Sequence, residues 1–230
     1  MKNQLKINIY LALVTLIAGC KLDAPILPKT TDTTGGGGTV VFPPAGDGSY
    51  QPTTSGSYWI YKSITAGVTD TTKSVIDGNT ATFDGVKYYE GIAYYQNQSV
   101  IDTSYLSKEN HVYINYAIAA GQVIKLYYLN DNIAVGQGWT SPINDSGELN
   151  GIPGQFVGSI IEKGISKTVE GKTYKNVIHS RVMLQYDYGS GFETAITYDN
   201  YCAQNIGIIE VDTQGLGITG VETLLSYSIK

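Results

Sequence analysis

Arginine is almost missing from this chain: Arg181 is the single instance in 230 residues. Recognition of phosphate and nucleic acid leans on arginine forks and broad basic faces, so nucleic acid is excluded as a partner. Histidine is nearly as scarce. His111 and His179 stand far apart, in no spacing that makes a zinc site. Asn130-Asp131-Asn132 and Asn144-Asp145-Ser146-Gly147-Glu148 are oxygen-rich but lack the spacing of a calcium loop, and Asn/Asp runs are ordinary turn residues. No metal and no cofactor is expected. Cysteine occurs twice, as Cys20 and Cys202, and a thiol at 202 without a nearby histidine reads as a buried apolar side chain. A Gly-x-Ser-x-Gly elbow is absent, and Gly189-Ser190-Gly191 reads as a hairpin turn. Glu210 and Asp212 share one face of a strand, the one carboxylate pair considered for a hydrolase. Without arranged partners for them, no catalytic residue is assigned and the chain is expected not to be an enzyme.

What the chain does have begins at its start. Lys2 and Lys6 precede an almost unbroken apolar run, Ile7 to Ala18. That run is shorter than the ~20 residues of a spanning helix, and a charged start, short apolar core and small residues at the break describe a removed export signal. Leu16-Ile17-Ala18-Gly19-Cys20 resembles the bacterial lipoprotein lipobox. The resemblance implies cleavage before Cys20 and lipidation of Cys20, and several acyl chains hold a protein firmly where one does not. Lys21-Leu22-Asp23 lacks an aspartate directly after the cysteine and is partly similar to the Lys-plus-acidic signal of Bacteroidetes-type surface lipoproteins. Outer-membrane anchoring is expected, with the periplasmic or cell-surface face left open. Loss of Lys2 and Lys6 would leave 13 basic against 20 acidic residues, a charge of about −7. With Cys20 lipidated, Cys202 has no disulfide partner.

The layout then divides into residues 1–19 as signal peptide, 20–57 as lipidated cysteine and flexible linker, and 58–230 as an all-β domain. The linker carries Thr30-Thr31-Asp32-Thr33-Thr34, Gly35-Gly36-Gly37-Gly38 and Pro43-Pro44, a composition that cannot bury enough apolar surface to order itself. As a random coil it reaches on the order of 35 Å. Val40-Val41-Phe42 is the exception, able to dock as a short edge strand.

Beyond residue 57 the period is two. Val112, Ile114, Tyr116 and Ile118 alternate with His111, Tyr113, Asn115 and Ala117. Ile178, Val182, Leu184 and Tyr186 share a face opposite His179, Arg181 and Gln185, and Val221, Thr223, Leu225, Tyr227 and Ile229 keep the same period. Asp77-Gly78, Asp84-Gly85 and Glu170-Gly171 punctuate these runs as turns. The expected fold is a single antiparallel β-barrel or β-sandwich-like domain of nine to twelve strands. Thr82-Phe83-Asp84-Gly85-Val86-Lys87-Tyr88 aligns with Thr168-Val169-Glu170-Gly171-Lys172-Thr173-Tyr174, suggesting two repeated sheet units. The lipobox, the Gly/Thr linker, Tyr58-Trp59-Ile60-Tyr61 and the Glu170–Tyr174 turn together resemble uncharacterised Bacteroidetes-type lipoproteins. That resemblance implies an address and no chemistry.

Tyrosine is the strongest bias, at 19 residues. Rings with a polar tip stack on sugars or line amphipathic cavities, and they also fill half-buried strands. Trp59, Tyr61, Tyr89, Tyr95 and Trp139 are the candidate ligand-binding residues, although Trp139, between Gly138 and the Thr140-Ser141-Pro142 run, is expected more as a buried plug closing one end of the sheet than as an exposed anchor. The function expected is non-catalytic binding of an apolar or glycan ligand at the envelope. A surface adhesin or structural module that meets glycan or an envelope protein is the alternative, and a carboxylate hydrolase the more distant one.

Overall fold

Alternating sequence cut by acidic-Gly turns leaves little room for helix, and the computed structural model is β throughout the residues it describes, 38–96, 101–119 and 121–230. The strands run β1 Thr39–Val41, β2 Tyr58–Thr65, β3 Val68–Phe83, β4 Val86–Tyr95, β5 Ile101–Glu109, β6 Val112–Ala119 and β7 Gln122–Asn130. After these come β8 Gly138–Pro142, β9 Glu148–Leu149, β10 Ile152–Val169, β11 Lys172–Asp187, β12 Phe192–Ala203, β13 Gly207–Gly215 and β14 Ile218–Ser228. Twelve of them form one antiparallel path, β7-β6-β5-β4-β3-β2-β14-β13-β12-β11-β10-β8. The two extra strands are short: β1 pairs parallel with β11, and β9 pairs with β10.

The path consists of two six-strand meanders, β2 to β7 and β8 with β10 to β14, joined where β14 pairs with β2. The matched turns sit at equivalent places. Asp84 and Gly85 have φ of 52° and 77°, and Glu170 and Gly171 have 47° and 74°, the positive values that a two-residue type I′ hairpin requires at both positions. Tyr88 and Tyr174, four residues beyond each acid, are both buried. The sheet curls into a nearly closed barrel whose two ends meet without a regular ladder. Lys125 N donates to Ile143 O (2.8 Å), Trp139 Nε1 to Tyr127 O (3.2 Å) and Ser180 Oγ to Tyr128 O (2.6 Å).

Both long hairpins bend back over the outside. β3 loses register between Ile76 and Thr80, and β10 shifts repeatedly between Ile160 and Lys167; such bulges bend a strand. The β3–β4 tip then covers β5 to β7, where Phe83 stacks on Tyr116 at 4.5 Å and Asp84 pairs with Lys125 at 2.6 Å. Likewise the β10–β11 tip covers β13, β14 and β2: Glu170 meets Lys62 and Thr223, and Lys167 pairs with Glu210 at 2.6 Å. So Val112, Ile114 and Tyr116 pack under a hairpin and not toward the barrel interior. Ile118 on the same face is exposed.

The segment before β2 differs from its composition. Asn205 Nδ2 donates to Pro44 O (2.9 Å), Gly48 N donates to Asn205 Oδ1 (2.7 Å), and Tyr128 OH donates to Gln51 Oε1 (3.0 Å). Gln51 and Ser57 are buried. Fixed hydrogen bonds to the barrel order a stretch whose own apolar content is too low to do so, and Val40-Val41 does form a strand. The signal segment, Cys20 and the glycine run through Gly37 lie outside the described residues.

Candidate functional site

Two cavities inside the barrel, about 290 Å³ and about 140 Å³, share Asn115, Ile208 and Glu222 as wall residues. The larger is faced by Ser63 and Thr65 of β2, Tyr128 of β7, Asn200 of β12 and Thr213 of β13. The smaller is faced by Trp59, Tyr61, Ser74, Ser104 and Leu106. Walls therefore come from both meanders, and neither half encloses the space alone. At one end the lumen is stoppered: Trp59 is buried with its Nε1 donating to Ile206 O at 2.6 Å, and Ile206, Ile76 and Leu224 pack around it. Thr65, Thr213 and Gly220, beside the β2–β3 and β13–β14 turns, lie at the other.

The lining is rich in small polar side chains, but one charge dominates it. Glu222 projects from β14 with no hydrogen-bonding or ion-pairing partner among the described residues, and burial raises its carboxyl to about 7. It is half-buried, its open part facing the lumen. Asp70 pairs across the sheet with Ser63, and Asp102 with Ala93. Directly paired residues share a face, so both acids look inward with Ser63 and Ala93. Burial raises the Asp102 carboxyl as well. Tyr95 stands among these acids; burial first, then Asp102, Glu222 and Asp70, push its phenol up. No lysine, arginine or histidine lines either cavity. Two buried amide atoms remain unpartnered, Asn115 Oδ1 and Asn200 Nδ2.

The five aromatic candidates divide. Trp59 and Tyr61 line the smaller cavity, with Tyr61 OH donating to Ile208 O at 2.9 Å. Tyr95 stands beside the inward acids without forming wall. Tyr89 sits under the Lys87 ammonium, 4.9 Å from its ring centre, away from the lumen lining. Trp139 is also outside that lining; it packs between two clusters where β7 meets β8 and β10. Sequence reasoning passed over Glu222, Asn115 and Asn200. Period two could have placed Asn115 opposite Ile114, but nothing local separates an inward polar face from a solvated one.

The outer face carries a second polar group. His179 Nε2 meets Asp199 Oδ1 at 2.7 Å, Asp199 accepts from Arg181 Nε at 2.9 Å, and His179 stacks on Tyr201 at 4.3 Å. Lys167 lies 3.7 Å over the other ring, Tyr201. These groups satisfy one another and border neither of the two cavities. Glu210 is held by Lys167, and Cys202 is fully buried among Tyr128, Ile160 and Ile178, where burial pushes its thiol well up. Asn144 caps its own loop, accepting from Ser146 N at 3.1 Å.

No protein-family model and no curated protein matches the chain. Two solved structures resemble it in fold. A candidate lipoprotein from Parabacteroides distasonis aligns with a TM-score of 0.47 and 14% identity, over 79% of this chain and 99% of that one. A candidate exported protein with a YmcC-like fold from Bacteroides fragilis aligns at 0.46 and 7% identity, over 77% and 97%.

Proposed function

We propose that this protein is a lipid-anchored binding protein of the bacterial outer membrane, tethered through Cys20, that holds a small ligand inside its barrel. The lumen carries this reading: a partly open space with walls from both meanders, edged by the Glu222 carboxyl and by two amides, each with one atom that the fold leaves without a partner. Unpaired buried polar groups cost on the order of 1–3 kcal/mol each, and a ligand that pairs them recovers part of that. The surface-recognition alternative is less supported, because Tyr94 and Tyr188 are the only exposed tyrosines among the described residues, and they stand apart, one in β4 and the other in the turn between β11 and β12. The reading is non-catalytic.

Two measurements test it. Native mass spectrometry of the full-length protein, extracted from its own envelope in mild detergent, is expected to show a discrete small added mass lost on denaturation; a bare protein mass would count against a resident ligand. Cys20→Ser is expected to move the protein from the membrane to the aqueous fraction. Continued retention would sink the anchoring.

A further inference from the structure

The charge and hydrogen-bonding pattern of the lumen narrow the ligand class, on the footing that the lumen is the binding site. Its wall holds Glu222 with no cation opposite, and two more acids, Asp70 and Asp102, share the inward face. Carboxyls on one side of a low-dielectric space set up a negative potential. A fatty-acid carboxylate or a phosphate ester would add repulsion and its own desolvation cost. An acidic group alone would define nothing, but Asn200 is only 3% exposed, lines the larger cavity, and has an unpartnered Nδ2. Asn115, whose Oδ1 is also unpartnered, lines both cavities. The lumen therefore offers an anionic acceptor, a neutral acceptor and a neutral donor. Beside them lie Leu126, Ile208 and Val211 as apolar wall.

Size sets the second limit. The larger cavity, about 290 Å³, is roughly twice the ~150 Å³ that accommodates benzene. A phospholipid does not fit; a molecule with one ring or a short chain and a polar head does. We propose that the lumen binds a small amphiphilic organic cation, its protonated amine seated at Glu222 and its neutral polar groups met by Asn115 and Asn200.

Three size-matched probes test this: 2-phenylethylammonium, 3-phenylpropanol and 3-phenylpropanoate. Each would be titrated into the full-length Cys20→Ser protein while Trp59 fluorescence and the side-chain amide NMR signals of Asn115 and Asn200 are followed. The ammonium is expected to bind saturably, to shift both amides, and to outbind the alcohol and the carboxylate by about tenfold or more. Its affinity is expected to rise as pH goes from 5 to 8 and Glu222 ionises, a readout that needs no variant. Glu222→Gln should reduce that pH dependence and most of the preference for the ammonium, with Asp70 and Asp102 keeping the remainder; Asn200→Ser should weaken binding with the pH dependence intact. Equal or tighter binding of the carboxylate or the alcohol, with the same amides shifting, would overturn the cation and leave the lumen as the site. Failure of every probe to shift either amide would overturn the lumen reading itself.

Discussion

Trp139 and Gly158 face each other across the β8–β10 pair, and their fit shows how single residues set the barrel's closure. A methyl group on Gly158 would stand 2.1 Å from Trp139 Cε2 and 2.2 Å from Cζ2. The indole lies flat over a position where any side chain would displace it, and its Nε1–H reaches Tyr127 O on the opposite end of the sheet. Gly158→Ala should therefore cost about 1–3 kcal/mol by overpacking, read as a lower urea midpoint. Trp139→Leu should cost about as much by leaving a void. The double variant tests the cause: a smaller side chain at 139 makes room for the methyl, so the two losses should fall short of additive by about 0.5–3 kcal/mol. Additive losses would mean the ring is not what Gly158 accommodates. The sequence makes Trp139 noticeable by its glycine setting, but its partner Gly158 lies nineteen residues away, and only strand pairing connects them.

At the scale of elements, strand period and turn chemistry were readable, while the direction of each face was not. Ile178, Val182, Leu184 and Tyr186 are buried together as their spacing implies, with Arg181 opposite and exposed. In β14 the same logic inverted the strand. Val221, Thr223 and Leu225 look like the core row, yet Leu224 is fully buried, Glu222 faces the lumen and Thr223 Oγ1 donates outward to Glu170 at 2.9 Å. A register shift between Leu224 and Ser226 then changes the phase for Tyr227. The ambiguity is physical: a face under a folded-back hairpin is as apolar as a core, and a polar lumen is as hydrophilic as solvent. The hairpin tip offers its own test. Lys62 first, then Thr223, hold the Glu170 carboxyl below its usual range by hydrogen bonding. A depressed carboxyl adds stability above its unfolded value, near 4.5, and loses it as pH falls through the folded one. Lys62→Met should free the tip, speeding amide exchange at Val169 and Tyr174 while lowering global stability by less than about 1 kcal/mol. The difference from the parent should vanish as Glu170 protonates; unchanged exchange at neutral pH would show that apolar packing alone holds the flap.

For the whole molecule, the lumen exists only because two meanders join at β14–β2 and curl until β7 meets β8 and β10. Each contributes residues unremarkable alone: Ser63 and Asn115 from one, Asn200 and Glu222 from the other. This is why an antiparallel all-β domain, barrel or sandwich, could be anticipated from the sequence and its interior could not, since no local pattern reports which polar residues from distant strands converge. Burial of Glu222 has a thermodynamic consequence. The Glu222 carboxyl rises from 4.5 to about 7 on folding, so between those values the native state holds a proton that the unfolded chain has released. Stability must fall as pH rises through that window, and it levels off once the folded group is ionised. At about 1.4 kcal/mol per unit, the loss is at most about 3 kcal/mol, reduced by whatever water enters the lumen. Asp102, raised in the same direction by burial, adds to the slope, and Asp70 and the Tyr61 and Tyr95 phenols are the other titratable groups close to Glu222. Glu222→Gln removes the ionisation and keeps the shape. Its unfolding free energy should match the parent at pH 4 and exceed it by up to about 3 kcal/mol at pH 8, with a flatter profile between. Parallel profiles for the two proteins would mean that the carboxyl reaches bulk water, and the lumen would then be an open cleft unable to strengthen a charge pair.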